Sequence, residues 1–377
     1  MKIALLSEKY TPDIGGLAIS AERLGHLLSS AGHEVRVFAP TLGLPASETR
    51  TLAHGGVSVS RFGARKRVDD TLVDWFDLVV QEHRREPFDL IHAYFLPQAG
   101  FVATYVGNYL GVPSVVSARG NDLDRAVFDP AKAAHVMYAL QNASAVTTNA
   151  SDLVKKAKAL VNRDVSLIPN GIDTDQFKPM TRSEALAKAL GLDNHVIGFA
   201  GELREKKDLY TLLNGYAQLN KRHPTTLLIV GEVRQGEDQQ TFDKLRLSIP
   251  DTKIIVTGYI SHKDIPAYYA LMDVFVHPSL RDGMPNALLE AMACEKAVVV
   301  TPVGGITDVV EDGKNGLYVC VNDANMLSEK VLELLDDSKK RSNLGKTARE
   351  SILNRFTLER ELEANLNVYR KLGLKAH

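Results

Sequence analysis

Two cysteines in 377 residues, Cys294 and Cys320, are too few for a disulfide framework, and they show no metal-ligand spacing. An excess of charge of one sign is also missing. A formal net charge of −1 leaves no global field to gather nucleic acid or an anionic membrane. No apolar run approaches the roughly 20 residues of a membrane span. The apolar stretch in MKIALLSEKY is too short for a signal peptide and reads at once as a strand. There is no repeat of solenoid period, no low-complexity tract, no G-x-G-x-x-G and no D-x-D metal motif in a suitable strand context. These absences set aside secreted disulfide scaffolds, membrane spans, nucleic-acid binders and a standard dinucleotide site. The expected address is the cytoplasm, with peripheral contact at the inner face of a membrane left open.

Apolar residues make up 45% of the chain and charged residues 24%, a globular balance with room for two domains. The most informative stretch runs from Val276 to Asp308 and reads as strand, tight loop, helix, strand and glycine turn. Gly283 suits the loop, Pro285 and Asn286 suit a helix start, and Ala287–Ala293 is rich in helix formers. Cys294, in the same helical pattern, reads as a small buried hydrophobe. Ala297–Val300 is a fully apolar strand, and Gly304-Gly305 is a second close turn. Such a unit points backbone N–H groups and the positive end of a helix at one place, which favours a phosphate. Asp282 and Glu290 flank that place. Two carboxylates beside an anion site make sense if hydroxyl-rich groups lie on either side of a diphosphate, as in a sugar nucleotide.

This alternation of strand, glycine loop and helix recurs along the chain. Lys2–Ser7, a loop with Pro12 and Gly15-Gly16, a helix over Ile19–Ser30 and a strand at Glu34–Ala39 form one βαβ unit. Asp89–Tyr94, Pro113–Ala118 and Ala145–Asn149 continue as strands. Arg61, Arg65, Lys66 and Arg67 precede a helical pattern over Thr71–Glu82. They read as a solvated loop before a core-facing helix, with a lipid-facing basic-aromatic surface as the alternative. Ile168–Pro179, punctuated by Pro, Asn and Gly, is the best domain boundary. After it the pattern restarts, with strands at His195–Ala200, Leu227–Val230 and Ile254–Thr257, and a strand running to Val321 near the end.

The Val276–Asp308 stretch resembles the retaining GT-B glycosyltransferases of the family-4 type, whose signature is roughly E-G-F-x-x-x-x-L-E-A-M-A-x-G-x-P-V-V. Gly283, Leu289 to Ala293 and Val298-Val299 match, and Asp282 and Glu290 keep the spacing of the two acids. Asp282 stands for the first Glu, Glu295 for a Gly, Ala297 for a Pro and Asp308 for a later Glu. Pro12 to Gly16 matches an opening P-x-x-G-G, and Ile168–Pro179 matches I-P-N-G-V-D-x-x-x-F-x-P. Lys207 matches the Lys of G-R-L-x-x-x-K-G, while Glu202 replaces its Arg and Asp208 its second Gly. Tyr94 replaces the second His of D-x-x-H-x-H, and Arg119 the His of H-G-x-D.

The resemblance implies an α/β chain of the GT-B type, two Rossmann-like βαβ domains facing across a cleft. Residues 1–170, with a returning C-terminal helix at about 357–377, form the acceptor side, and 171–356 form the nucleotide-sugar domain. It implies transfer of a sugar, with retention, from a nucleotide sugar such as a UDP or GDP donor to a glycan, lipid-linked or small-molecule hydroxyl, as in polysaccharide assembly. Asp282, Lys207 and Arg204 are the implied catalytic group, with Arg204 able to supply the cation lost at Glu202. Glu290, Gly16, Met284, Pro285, Asn286, Ala287, Leu289, Ile260 and Arg119 are the implied donor contacts. Gly15, Tyr94 and Asp122 lie on the acceptor side. No cofactor, essential metal or nucleic-acid partner is expected, and the oligomeric state is left open. Another GT-B activity, such as an epimerase or hydrolase, or a silent sugar-nucleotide-binding partner, remains as an alternative.

Overall fold

The computed structural model describes residues 1–46, 48–192 and 195–376. The chain divides into two compact units, residues 1–170 with 358–377, and residues 171–357.

In the first unit the apolar run at the N-terminus forms β1 (Lys2–Ser7), followed by α1 (Gly16–Ser30) and β2 (Glu34–Thr41). A hairpin, β3 (Thr49–His54) and β4 (Val57–Gly63), then leads into α2 (Val68–Arg85) and β5 (Leu90–Tyr94). Next come α3 (Phe101–Leu110), β6 (Ser114–Ala118), the short α4 (Asn121–Asp124) and α5 (Pro130–Asn142). β7 (Ala145–Thr148), α6 (Ser151–Leu160) and β8 (Val165–Leu167) complete the alternation. The sheet order is β3-β4-β2-β1-β5-β6-β7-β8, parallel throughout except for β3 against β4. The chain builds outward from β1 through β2 and then returns to β5 on the other side. The C-terminal ends of β1 and β5 therefore mark the topological switch point where open α/β sheets bind ligands.

The second unit begins with α7 (Glu184–Ala189) and β9 (His195–Ala200), then α8 (Leu209–Arg222), β10 (Thr225–Val230), α9 (Glu237–Leu247) and β11 (Lys253–Val256). It continues with α10 (Ile265–Leu271), β12 (Val274–His277), α11 (Asn286–Ala293), β13 (Ala297–Val300) and α12 (Ile306–Val309). β14 (Leu317–Tyr318), α13 (Ala324–Asp336) and α14 (Ser338–Arg355) close it. Its order is β11-β10-β9-β12-β13-β14, all parallel, so β9 and β12 form its switch point. Pairing between them runs only over Val274–Ile197 and Phe275–Gly198, so the strand ends are free to part where a ligand would sit. The inner strands β9, β10, β12 and β13 are buried on both faces, which is why they read as apolar runs.

The last helix, α15 (Leu358–Lys371), belongs to the first unit. Glu361 accepts from Arg23 Nε at 2.6 Å, and the Tyr369 hydroxyl hydrogen-bonds His92 Nδ1 at 2.7 Å. His92 is fully buried, its other ring nitrogen meets Ser117 Oγ at 2.9 Å, and burial with nearby Arg119 lowers its pKa to about 3. It is a neutral structural strut.

Two expectations need correction here. Arg61 lies in β4 rather than in a solvated loop, and its guanidinium donates to Tyr10 O, Pro40 O and Asp13 Oδ2 at 2.6–3.0 Å. Arg65, Lys66 and Arg67 do lie in an exposed loop, Arg65 paired with Asp74, and α2 turns Leu72, Trp75 and Val79 into the core as expected. The strand expected to reach Val321 is only two residues long, with Asp312 accepting the Tyr318 N–H and the Val319 N–H still donating to Val300 O at 2.9 Å.

Candidate active site

The loops leaving β9 and β12 meet at the switch point of the second unit. Leu280 N–H donates to Lys206 O at 2.9 Å, which ties the two loops together. Lys207 and Asp282, 75 residues apart in sequence, form an ion pair there, each side chain only 11% exposed. Lys206 Nζ reaches the other oxygen of Asp282 at 3.2 Å. His277, the last residue of β12, completes the group: its Nε2 lies 3.0 Å from Lys207 Nζ and 3.2 Å from Asp282 Oδ2. Its ring stacks between Phe199 and Phe275, and its buried Nδ1 has no partner.

The charges follow from this packing. Burial lowers Lys207 to about 8, partly opposed by Asp282. Burial alone would raise the Asp282 carboxyl, but Lys207, His277 and Lys206 hold it well below the usual carboxylate range. Burial and the neighbouring Lys207 push His277 down to about 4, so the imidazole is neutral. Arg204 sits beside this group with Nη1 3.3 Å from Glu202 and a buried Nε without a partner.

A few residues further on, α11 begins after Pro285 with no side-chain cap hydrogen bond. Gly304 lies under that loop at φ +52, and a Cβ there would stand 1.7 Å from Asp282 O, so only glycine fits. Glu290, buried on α11, has both oxygens fixed: Oε1 to His262 Nε2 at 3.1 Å and Oε2 to the Tyr269 hydroxyl at 2.9 Å. Asn286 and Ala287 are half-buried at the helix start, and Ala287 O accepts from Tyr269. The Met284 and Leu289 side chains pack in the hydrophobic core with Ile260 against it, which leaves the backbone at Met284 as the group able to meet a donor. Leu289 in particular is fully buried, because α11 turns that face to the sheet.

Two positions where the family pattern has Gly carry acids in a left-handed backbone. Glu295, where the pattern has Gly, follows the α11 cap at φ +57. Asp208, at the other missing Gly, takes φ +55 and caps α8 by accepting the Thr211 N–H at 3.0 Å.

In the first unit, Gly15 at φ +127 and Gly16 open α1 with no atom near where a Cβ would be. Arg119 lies over the Tyr94 ring at 4.3 Å and donates to Asn170 Oδ1 at 2.8 Å. Tyr94, only 1% exposed, is thus a platform for Arg119 rather than a group facing a ligand. Asp122 is likewise turned inward: its carboxylate accepts the N–H groups of Arg119, Gly120 and Leu123 and shapes the loop. The Asp122 arrangement has a general cause, since a short loop after a parallel strand must satisfy its own backbone groups. Sequence reasoning missed His277, Lys206 and Glu8. Glu8 leaves β1 at that unit's switch point, accepts the Gln98 N–H at 3.0 Å, and burial raises it to about 7. An acid directly after the first buried strand was the available signal.

The two open, mainly parallel sheets are those of the GT-B glycosyltransferases, and solved structures share the fold over nearly the whole chain. Sucrose-phosphate synthase from Thermosynechococcus elongatus superposes with a TM-score of 0.82 at 23% identity, covering 98% of each chain. HepE from Anabaena, solved with UDP-glucose, gives 0.81 at 22% identity, covering 99% of each. The model described as Glycosyltransferase Family 4 matches residues 14–176, and that described as Glycosyl transferases group 1 matches residues 182–351. Among curated relatives, the GDP-mannose-dependent alpha-mannosyltransferase of Mycolicibacterium smegmatis is 28% identical, covering 94% of this chain and 93% of its own. The N-acetyl-alpha-D-glucosaminyl L-malate synthase of Bacillus anthracis is 25% identical, covering 95% and 94%. The chain belongs to the group 1, family-4 type of glycosyltransferases and is a glycosyltransferase. Among the described residues no helix is long and apolar enough to cross a membrane.

Proposed function

We propose that this chain is a retaining glycosyltransferase that moves a sugar from a nucleoside-diphosphate sugar to a hydroxyl of a glycan, lipid-linked or small-molecule acceptor. The observation that carries the reading is the buried group Lys207–Asp282–His277 at a switch point, beside an uncapped helix that also bears Glu290. Glu290, held by His262 and Tyr269, accepts the two ribose hydroxyls. Lys207, with Lys206 and Arg204 beside it, faces the diphosphate, where negative charge grows as the sugar–phosphate bond breaks. These cations supply the neutralisation that a metal supplies elsewhere, so no essential metal is proposed. Asp282 holds sugar hydroxyls; committed to two lysines, it suits that task better than attack on carbon. Retention then follows the front-face route. The acceptor oxygen bonds to the anomeric carbon, the carbon–oxygen bond to the diphosphate breaks, and the acceptor proton passes to the departing phosphate oxygen. In the first unit, Gly15 and Gly16 let a ligand approach the backbone, Arg119 serves a phosphate, and Glu8 orients the acceptor hydroxyl.

Relatives that use GDP-mannose and a fold neighbour solved with UDP-glucose support a nucleotide-sugar donor. The test is incubation with UDP- and GDP-sugars, with and without acceptors, following nucleotide release and the anomeric configuration of product by NMR. Acceptor-dependent release with the donor's configuration preserved is expected. Inverted product refutes retention, free sugar alone indicates a hydrolase, and binding without turnover indicates a silent partner.

A further inference from the structure

The first unit carries a second cluster of chemistry-bearing side chains that glycosyl transfer does not use. Glu22 and His26 lie one turn apart on α1, and His54 ends the edge strand β3. His54 Nε2 is 3.0 Å from Glu22 Oε1 and His26 Nε2 is 3.8 Å from it. One ligand atom from each of the three residues lies within 4.8 Å of the others. Zinc bonds of about 2.0–2.2 Å in a tetrahedron set neighbouring ligand atoms roughly 3.4 Å apart, so small side-chain adjustments bring the three into place.

The orientation of His26 is built rather than accidental. Its Nδ1 lies 2.9 Å from Gly55 O, and because a carbonyl only accepts, the proton sits on Nδ1 and the lone pair on Nε2. That is the outer hydrogen bond by which metal-ligating histidines are set. Gly55, at φ +54 in the β3–β4 turn, packs directly against the ring, and a Cβ there would lie 2.1 Å from His26 Cε1. Ser29 Oγ donates to Gly56 O at 2.9 Å, fastening the same turn to α1.

We propose that Glu22, His26 and His54 form a surface zinc site, with three protein ligands and water in the fourth position. Two imidazoles and a carboxylate suit zinc better than calcium or magnesium, which prefer all-oxygen sets. Zinc takes the place of the proton that His54 Nε2 shares with Glu22, and His54 adopts the Nδ1–H tautomer. All six residues of β3 are exposed and the strand pairs only with β4, so the ion pins an otherwise lightly held edge to α1.

The test is calorimetric titration of the full chain with zinc chloride, alongside His54→Ala and Glu22→Gln, with cobalt(II) visible absorption as a second readout. His54 is exposed at a strand end, so its loss leaves the core intact. One equivalent of zinc is expected in the wild type. Loss of an outer-shell partner alone costs about 10–100-fold in affinity, so each ligand variant should weaken binding by at least about tenfold. Zinc should raise the melting temperature of the wild type and not that of His54→Ala. No binding overturns the proposal, as does a loss confined to one variant. Unchanged affinity in both variants places the ion elsewhere, for example at the Met1 amine and His33, which lie 3.4 Å apart.

Discussion

Replacing Lys207 by Met separates two roles that the structure superimposes. Lys207 compensates the largely buried Asp282 carboxylate, and it is the proposed cation for the leaving diphosphate. Removing one partner of a buried ion pair costs about 3–5 kcal/mol because a charge is left uncompensated. Here Lys206 stays 3.2 Å from Asp282, an attraction of about 5 kcal/mol at an effective dielectric of 20, so the cost should fall toward the low end of that range. In the double variant Lys207→Met/Asp282→Asn the orphaned charge is gone, and most of the stability should return. Turnover should not return. Losing a strong charge-stabilising donor costs about 2.7–4 kcal/mol in barrier, roughly 10²–10³ in rate, whatever stands at position 282. The assay is urea unfolding with turnover number and donor dissociation constant for wild type, both singles and the double. Strictly additive stability losses would refute the buried pair. Recovery of turnover in the double would show that Lys207 acts only by restraining Asp282.

Glu290→Gln should weaken binding of the free nucleoside diphosphate, whereas Asp282→Asn should leave that binding near normal and depress turnover. Equal weakening by calorimetry would overturn the division of roles. Turnover over donor KM should fall as pH rises through about 8, where Lys207 gives up its proton, and Lys207→Met should abolish that limb. For stability the sign is opposite: between about 8 and the ordinary 10.5 the unfolded chain holds a proton that the native state has released, so this group's contribution rises with pH across that window, and its absence in Lys207→Met is measurable by unfolding at stepped pH. Glu295→Gly should stabilise the fold by up to about 1 kcal/mol by relieving a left-handed residue. Asp208→Gly should not, since it forfeits the cap on α8, worth about 1 kcal/mol. Addition of EDTA should leave turnover unchanged, and loss of activity restored by a divalent cation would refute the metal-free reading.

Much of the fold was legible because most of its strands are buried on both faces and its loops are punctuated. Lys2–Ser7, His195–Ala200 and Ala297–Val300 read as apolar runs and occur with those bounds. The antiparallel hairpin β3–β4 was not legible, since β3 is an exposed edge with no apolar alternation. The sequence by itself determined the βαβ alternation, the acids at 282 and 290 and the lysine at 207, because period, turn chemistry and motif spacing are local properties. Only the tertiary structure decided that Lys207, Asp282 and His277 form one buried group, that Tyr94 lies beneath Arg119, and that Asp122 is spent on its own loop. Those outcomes depend on which strands become neighbours at a switch point and on how the intervening loops satisfy their backbone, and neither is written in the spacing of residues along the chain.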